Sequence, residues 1–462
     1  MFEAFLLTII LAVTFIAGLI LSIRQLRGSY YKSLLAWYIF VYLFVMNIAA
    51  MLLPYVGLPD FYIIKYDRLI VNKIYYGLIL INFIAFIYLL FIDQISSKRR
   101  SHADFTDTSS ATIPAMLKNR FKILYFIILL ALIYLSGSPE IMETIESLKG
   151  IVQSKDYAYY YDLRVMATHK YINPLSFSIP IKSIIFDIIV PLMCLYSLYG
   201  WLLTKKYIWL QRWFFALFIW ILISLLTFQK GPILELVLSN VILSIFIQYE
   251  KKEIRNFRSL FKKIAIYSLP LVIAIFVLYT MLGFEGNVLY EVVKRVVFEP
   301  IYTTYGHFAT FPDVYPHLAL SSSKLLSALS SNGQPAINQE PYQLAAMTAT
   351  GAFFNANTSM LGTGWAKSGY LGIALNAVLL FSVLLFWDIY LKKNKRHLLL
   401  VPLVSLYLGR ANIVLNVGTN SMLISFGLLI IPLIYIIIFD KQSRRPTFLR
   451  KRISIMESGT CT

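Results

Sequence analysis

The sequence has little charge and almost no cysteine. Of its 462 residues, 14% are charged and 58% are hydrophobic, and mean hydropathy is +0.69. Soluble domains carry roughly 25% charge and about 45–50% apolar residues. This composition excludes the string of soluble domains that the length would otherwise suggest. The two cysteines are Cys194, inside an apolar run, and Cys461, near the C-terminal end. Neither a disulfide framework nor a cysteine metal site can be built from them. Gly-x-x-x-x-Gly-Lys-Ser/Thr, His-Glu-x-x-His and Gly-x-Ser-x-Gly are all absent. That argues against a P-loop ATPase, a zinc protease and a serine hydrolase. No internal repeat is visible, and no polar stretch is large enough to bind a nucleotide sugar on the basic side.

What the sequence has instead is apolar runs near twenty residues long, the length that crosses a bilayer core of about 30 Å. Eleven spans are predicted, at about 3–23, 34–56, 74–92, 121–136, 178–203, 212–229, 232–249, 264–283, 369–390, 397–415 and 420–439. The expected fold is all-α, a single polytopic integral membrane domain over 1–462. Glu3 precedes the first run and Arg24, Arg27 and Lys32 follow it. This is the reverse of a cleaved signal peptide, so the run is expected to be a retained span with its N-terminus outside. Most of the 42 Lys and Arg residues then fall in short segments on one side, as the positive-inside rule requires. The net charge of +19 is therefore topological, and no nucleic-acid partner is needed to explain it. The inner segments include a partly disordered loop at 93–120 and a tail at 440–462. The outer ones include a loop at 137–177 and a large loop at 284–368. No Asp-x-Asp or Glu-x-Asp pair occurs outside, so no metal-diphosphate site of the usual kind is expected.

A charge within a bilayer costs at least ~2.5–3.5 kcal/mol on insertion scales. Lys182, Asp187, Lys230, Glu235 and Arg410 all fall in the outer half of their spans. Taken singly, the lysines can snorkel to the surface and Glu235 can pair with Lys230. Their common depth points to a polar cavity open to the outside. Asp388 sits at the inner interface. The first outer loop holds Tyr157, Tyr159, Tyr160, Tyr161, Asp162 and Arg164. Tyrosines there serve either as an interfacial belt or as faces for sugar rings. In the second loop Leu289, Val292, Val293, Val296 and Val297 share a helical face, with Glu291, Lys294 and Arg295 polar. Pro300 is expected to end this amphipathic helix. Tyr302, Tyr305, His307, Phe308 and His317 follow. An external histidine beside Arg and Tyr either lies exposed or acts as an acid or base near neutral pH.

Arg and Lys facing outward next to lipid suit a phosphate-bearing lipid, because the Arg fork donates two hydrogen bonds to two oxygens. The matching chemistry is glycosyl transfer from a lipid diphosphate. Cations would stabilise the departing diphosphate without a metal.

Several loose motifs, in order along about 120–440, resemble the Wzy-type O-antigen and capsule repeat-unit polymerases. They are Tyr161-x-x-Arg164 followed by Asn173-Pro174 and a span with Pro191; Lys230-Gly231-Pro232, where the family usually has Arg; Lys294-Arg295 through Glu299-Pro300, with Tyr302 to Tyr305 and Phe311-Pro312 behind; and Asn357-Thr358-Ser359 through Gly362, Trp365 and Gly369 to Gly372. Lysine at 230 weakens a bidentate phosphate role there. The related O-antigen ligases usually place a His near the last motif, where this chain has Asn357-Thr358. The resemblance implies transfer of a growing glycan from undecaprenyl pyrophosphate to the next lipid-linked repeat unit, on the external face of a bacterial inner membrane. It implies no cofactor, and a Wzz-type chain-length regulator as partner. Arg295 and Arg164 would contact the diphosphate. Lys230, Arg410, Lys294, Tyr161, Tyr302 and Tyr305 would support substrate binding. His307, Asp162 and Glu291 would handle the acceptor proton. Arg410 has an alternative as a structural partner of Glu235 or Asp187. An O-antigen ligase is the rival enzyme and a polysaccharide-lipid flippase the rival transporter. A transporter should spread charge through the membrane depth and show related halves, so this sequence favours the enzyme.

Overall fold

A computed structural model describes residues 2–27, 33–60, 62–97, 125–126, 128–129, 188–226, 230–250, 294–318, 341–351, 358–393 and 397–410, with six further residues between 259 and 273. The elements are α1 (Phe2–Arg27), α2 (Leu34–Val56), α3 (Arg68–Ser97), α4 (Val190–Thr204), α5 (Tyr207–Leu226) and α6 (Lys230–Glu250). A π-helical segment, Lys294–Phe298, then runs into α7 (Glu299–Thr310), followed by α8 (Pro341–Thr350), α9 (Met360–Lys393) and α10 (His397–Gly409). No strand occurs among the described residues. Four stretches, Phe5–Leu26, Leu34–Val56, Arg68–Ile92 and Met360–Tyr390, are long and apolar enough to cross a membrane. Shorter apolar helices lie within α4, α5 and α6. Of the other expected spans, 420–439 lies outside the described residues. Only a few residues of 121–136 and 264–283 are described, and these are helical.

Helices are the form such runs must take, because lipid offers the backbone no hydrogen-bond partner. On α1, Phe5, Ile9, Val13, Ile16 and Ile20 are exposed, whereas Leu7, Leu11 and Phe15 are buried. The exposed stripe is apolar, as a lipid-facing surface requires. The buried stripe packs α1 against α2 and α3, and α9 completes this group. Asn47 and Asn82 donate to each other's amide oxygens at 3.2 and 2.9 Å, and Asn82 also donates to Thr14 Oγ1 at 3.1 Å. Polar pairs of this kind tie α1, α2 and α3 together within apolar surroundings. A second group forms from α4, α5, α6 and α10, and α10 joins it to α2 and α9.

Two contacts fix which helix ends share a face. The buried Asp388 carboxylate near the end of α9 accepts from Ser33 Oγ at 2.5 Å, Leu34 N at 2.8 Å and Leu35 N at 3.2 Å. It caps the start of α2, whose first N–H groups have no partner within the helix. At the other end Tyr370 donates to Lys73 O at 3.3 Å, beside the 57–67 connector between α2 and α3.

α9 is sharply bent. Ser368 (φ −158°, ψ 32°) and Gly369 (φ 61°, ψ −139°) are non-helical. A Cβ on Gly372 would fall 2.1 Å from Gly364 O, and one on Gly364 would fall 2.6 Å from Ile373 Cα. Asn376 donates to Met360 O at 3.4 Å. Met360–Lys367 therefore folds back on the start of the long limb, which begins where the sequence placed its span, at 369. The 284–368 loop thus contains α7, α8 and this short limb. Pro300 does not end a helix, as its sequence context had suggested. It occupies the first turn of α7, where an absent N–H costs nothing.

Candidate functional site

α7 is the centre of the face that carries the 57–67 connector. It packs against α2, α3, α8 and α9. Tyr305 Oη donates to Lys65 O at 3.1 Å and accepts from Asp67 N at 2.6 Å, and its ring stacks with Tyr66 at 6.4 Å. Burial pushes the Tyr305 hydroxyl up to about 12, so it keeps the proton that it donates. Tyr302 is buried and lies against Phe298 at 5.9 Å and Tyr62 at 6.3 Å. Ile63 N donates to Ala349 O at 2.8 Å, fastening α8 to the same connector.

Trp365, on the short limb of α9, is the second anchor. Its Nε1 donates to Phe311 O at 2.6 Å. Its ring stacks on Phe308, with centroids 4.3 Å apart and planes at 8°. His317 and Tyr370 meet it edge-on at 5.6 and 5.0 Å. Lys73 Nζ lies 5.9 Å from the ring centre and pairs with Asp313 at 3.6 Å. Behind it Thr304 and Thr358 share a hydrogen bond at 2.8 Å, and Tyr42 and Ser359 another at 3.1 Å.

The histidine on α7 is sealed in. His307 is fully buried and its Nδ1 lies 2.8 Å from Thr303 O. A carbonyl only accepts, so Nδ1 carries the proton and Nε2 presents a lone pair. That Nε2 has no partner among the described residues. Burial pulls the imidazole down to about 4, so it is neutral at physiological pH. With no surface, it has no direct route to a substrate in this arrangement.

The basic residues divide into two places. Lys294 and Arg295 lie in the π-helical segment ahead of α7; Lys294 is half-buried, and the Arg295 side chain is outside the described set. Arg410 follows α10 and pairs through Nε with Glu235 of α6 at 3.1 Å. Glu235 therefore meets Arg410, the structural alternative considered above. Lys230 begins α6, with its side chain outside the described set. Tyr161, Asp162, Arg164 and Glu291 lie outside the described residues, as do Lys182 and Asp187.

Sequence reasoning passed over the connector Asp60-Phe-Tyr-Ile-Ile-Lys-Tyr-Asp67. Its signal was two tyrosines in a short segment between spans, and Tyr62 and Tyr66 are what the α7 tyrosines pack against. Among the described residues no three His, Cys, Asp or Glu side chains gather to hold a metal.

Apolar spanning helices with a folded aromatic cap at one face define a polytopic all-α membrane protein. The chain matches no family model, no curated protein and no solved structure.

Proposed function

We propose that this protein polymerises lipid-linked oligosaccharide repeat units. The growing glycan passes from undecaprenyl pyrophosphate to the next lipid-linked unit on the outer face of a bacterial inner membrane. One observation carries the reading: the Lys294-Arg295 turn leads directly into an aromatic-lined helix, on the face that charge distribution assigns to the exterior. Cations there would bind the diphosphate and stabilise it as it departs. Tyr161, Asp162 and Arg164 of the first outer loop join this site in the proposal, and Lys230 supports them. The eleven-span map, the outward orientation and a Wzz-type chain-length partner belong to the same reading. No cofactor is required. In this arrangement Tyr302 and Tyr305 shape the cap, and an exposed group handles the acceptor proton.

The test is complementation in a host that lacks its own copy of the gene, with surface polysaccharide read as a ladder on a gel. Arg295→Ala and Arg164→Ala should collapse the ladder to a single repeat unit at normal membrane protein levels. A ladder that survives both changes removes the cationic site. Lipid-linked units missing from the outer face of a deletion strain that keeps its ladder would identify a flippase instead.

A further inference from the structure

On the proposed reading, the acceptor hydroxyl must lose a proton as it attacks. His307 has the chemistry but no surface. The same element carries a carboxylate that does have surface. Glu299 is exposed, is the acidic residue of the first turn of α7, and follows the π-helical segment Lys294–Phe298 directly. The i→i+5 pattern of a π-turn brings Glu299 above Lys294, whereas an α-helix would leave it further round the axis. The turn therefore sets Lys294 and Glu299 one turn apart on a continuous helical segment. Phe298, Tyr302 and Tyr62 form an aromatic row beside them. Glu299 is close enough to bear on Tyr62: burial raises that hydroxyl most, and the Glu299 charge adds to it.

We propose that Glu299 is the general base of the transfer, a catalytic residue that receives the proton of the attacking sugar hydroxyl. This rests on the polymerase reading. In the step, a lone pair of the acceptor oxygen forms the new bond to the anomeric carbon. The bond from that carbon to the diphosphate oxygen breaks, and its electron pair leaves with the diphosphate, held by Lys294 and Arg295. The acceptor proton goes to the Glu299 carboxylate. The products are the extended glycan on its lipid and undecaprenyl diphosphate. π-turns interrupt helices at a cost in hydrogen-bond geometry and recur at functional sites.

A carboxylate in a first turn also interacts favourably with the helix dipole, so the test needs a readout that this role does not move. Membranes containing the full chain are supplied with undecaprenyl-diphosphate-linked repeat units from the deletion host, and the rate is followed from acid to neutral pH. For Glu299→Gln we expect normal membrane levels, a rate lower by about 100-fold or more, and loss of the wild-type fall in rate toward acid. Glu299→Gln within about threefold of wild type, far short of a general-base loss, overturns the inference, as does an unchanged acid limb. Should Glu299→Gln fail to accumulate, Glu299→Asp decides. A reduced kcat with unchanged KM supports the base, and unchanged kcat overturns it. If the gene deletion and Arg295→Ala both leave the ladder intact, the polymerase reading itself falls. If they abolish it while Glu299→Gln polymerises, only the base assignment falls.

Discussion

His307 donates its Nδ1 proton to Thr303 O at 2.8 Å and exposes no surface, while Tyr305 on the same helix spends its hydroxyl on Lys65 O and Asp67 N. The sequence offers His307 for the acceptor proton and Tyr305 for substrate binding, and both side chains are engaged in packing in the fold. Their consequences are measurable. The folded imidazole titrates at about 4, below its ordinary value of about 6.5, so the folded state binds fewer protons than the unfolded one. Stability from this group is complete above about pH 6.5 and declines as pH falls through that value toward 4, by up to about 3 kcal/mol. The thermal midpoint in detergent should therefore drop between pH 7 and pH 5, and His307→Gln should reduce that drop. Tyr305→Phe leaves the Asp67 N–H without its acceptor. This costs about 0.5–1.5 kcal/mol, read as a lower midpoint at every pH.

At the scale of elements, the bend in α9 depends on backbones meeting without side chains between them. Gly372→Ala drives a Cβ to 2.1 Å from Gly364 O, and backbone cannot step aside as a side chain can. We expect this variant to fail to accumulate in membranes. Gly18→Ala meets only the end of the Leu43 side chain, at 2.7 Å, and should accumulate normally, because a rotamer change relieves the contact. The cap on α2 gives a second comparison. Asp388→Ala strips the acceptor from Ser33 Oγ and from two buried N–H groups. Hydrogen bonds to a charged group contribute about 1.5–3 kcal/mol each, so the loss should exceed about 2 kcal/mol in detergent unfolding.

Across the whole molecule, Glu235 and Arg410 tie α6 to α10, with side chains only 15% and 7% exposed. Removing one partner weakens the compensation of a largely buried charge and costs up to about 3–5 kcal/mol, the figure for a fully buried pair. Arg410→Met should therefore be poorly stable, and Glu235→Leu with Arg410→Met should recover much of the loss. Recovery of stability without polymer would place Arg410 at the substrate, whereas recovery of both would make the pair structural. Sidedness is tested on a background without Cys194 and Cys461. Tyr55 is 86% exposed at the end of α2. A Tyr55→Cys variant should react with a membrane-impermeant thiol reagent from outside, and Lys206→Cys only after the membrane is opened.

Much of the helical layout was legible because lipid leaves the backbone few choices. The second span, 34–56, coincides with α2, and the start of the ninth coincides with the bend at Ser368–Gly369. Local composition determines such boundaries, since the apolar run ends where the helix leaves hydrocarbon. The common depth of Glu235 and Arg410 was legible too, although the sequence offered Lys230 as an alternative partner for Glu235. The role of Pro300 was not, because proline favours both the residue after one helix and the first turn of the next. Burial of His307, the clamp on Tyr305 and the aromatic connector at 60–67 depend on segments more than two hundred residues apart coming together. No local pattern records that. The sequence by itself determined that this chain is helical, apolar and charged asymmetrically. Only the tertiary structure decided which polar groups are sealed into the cap and which, like Glu299, remain exposed, because burial is a property of the neighbours and not of the residue.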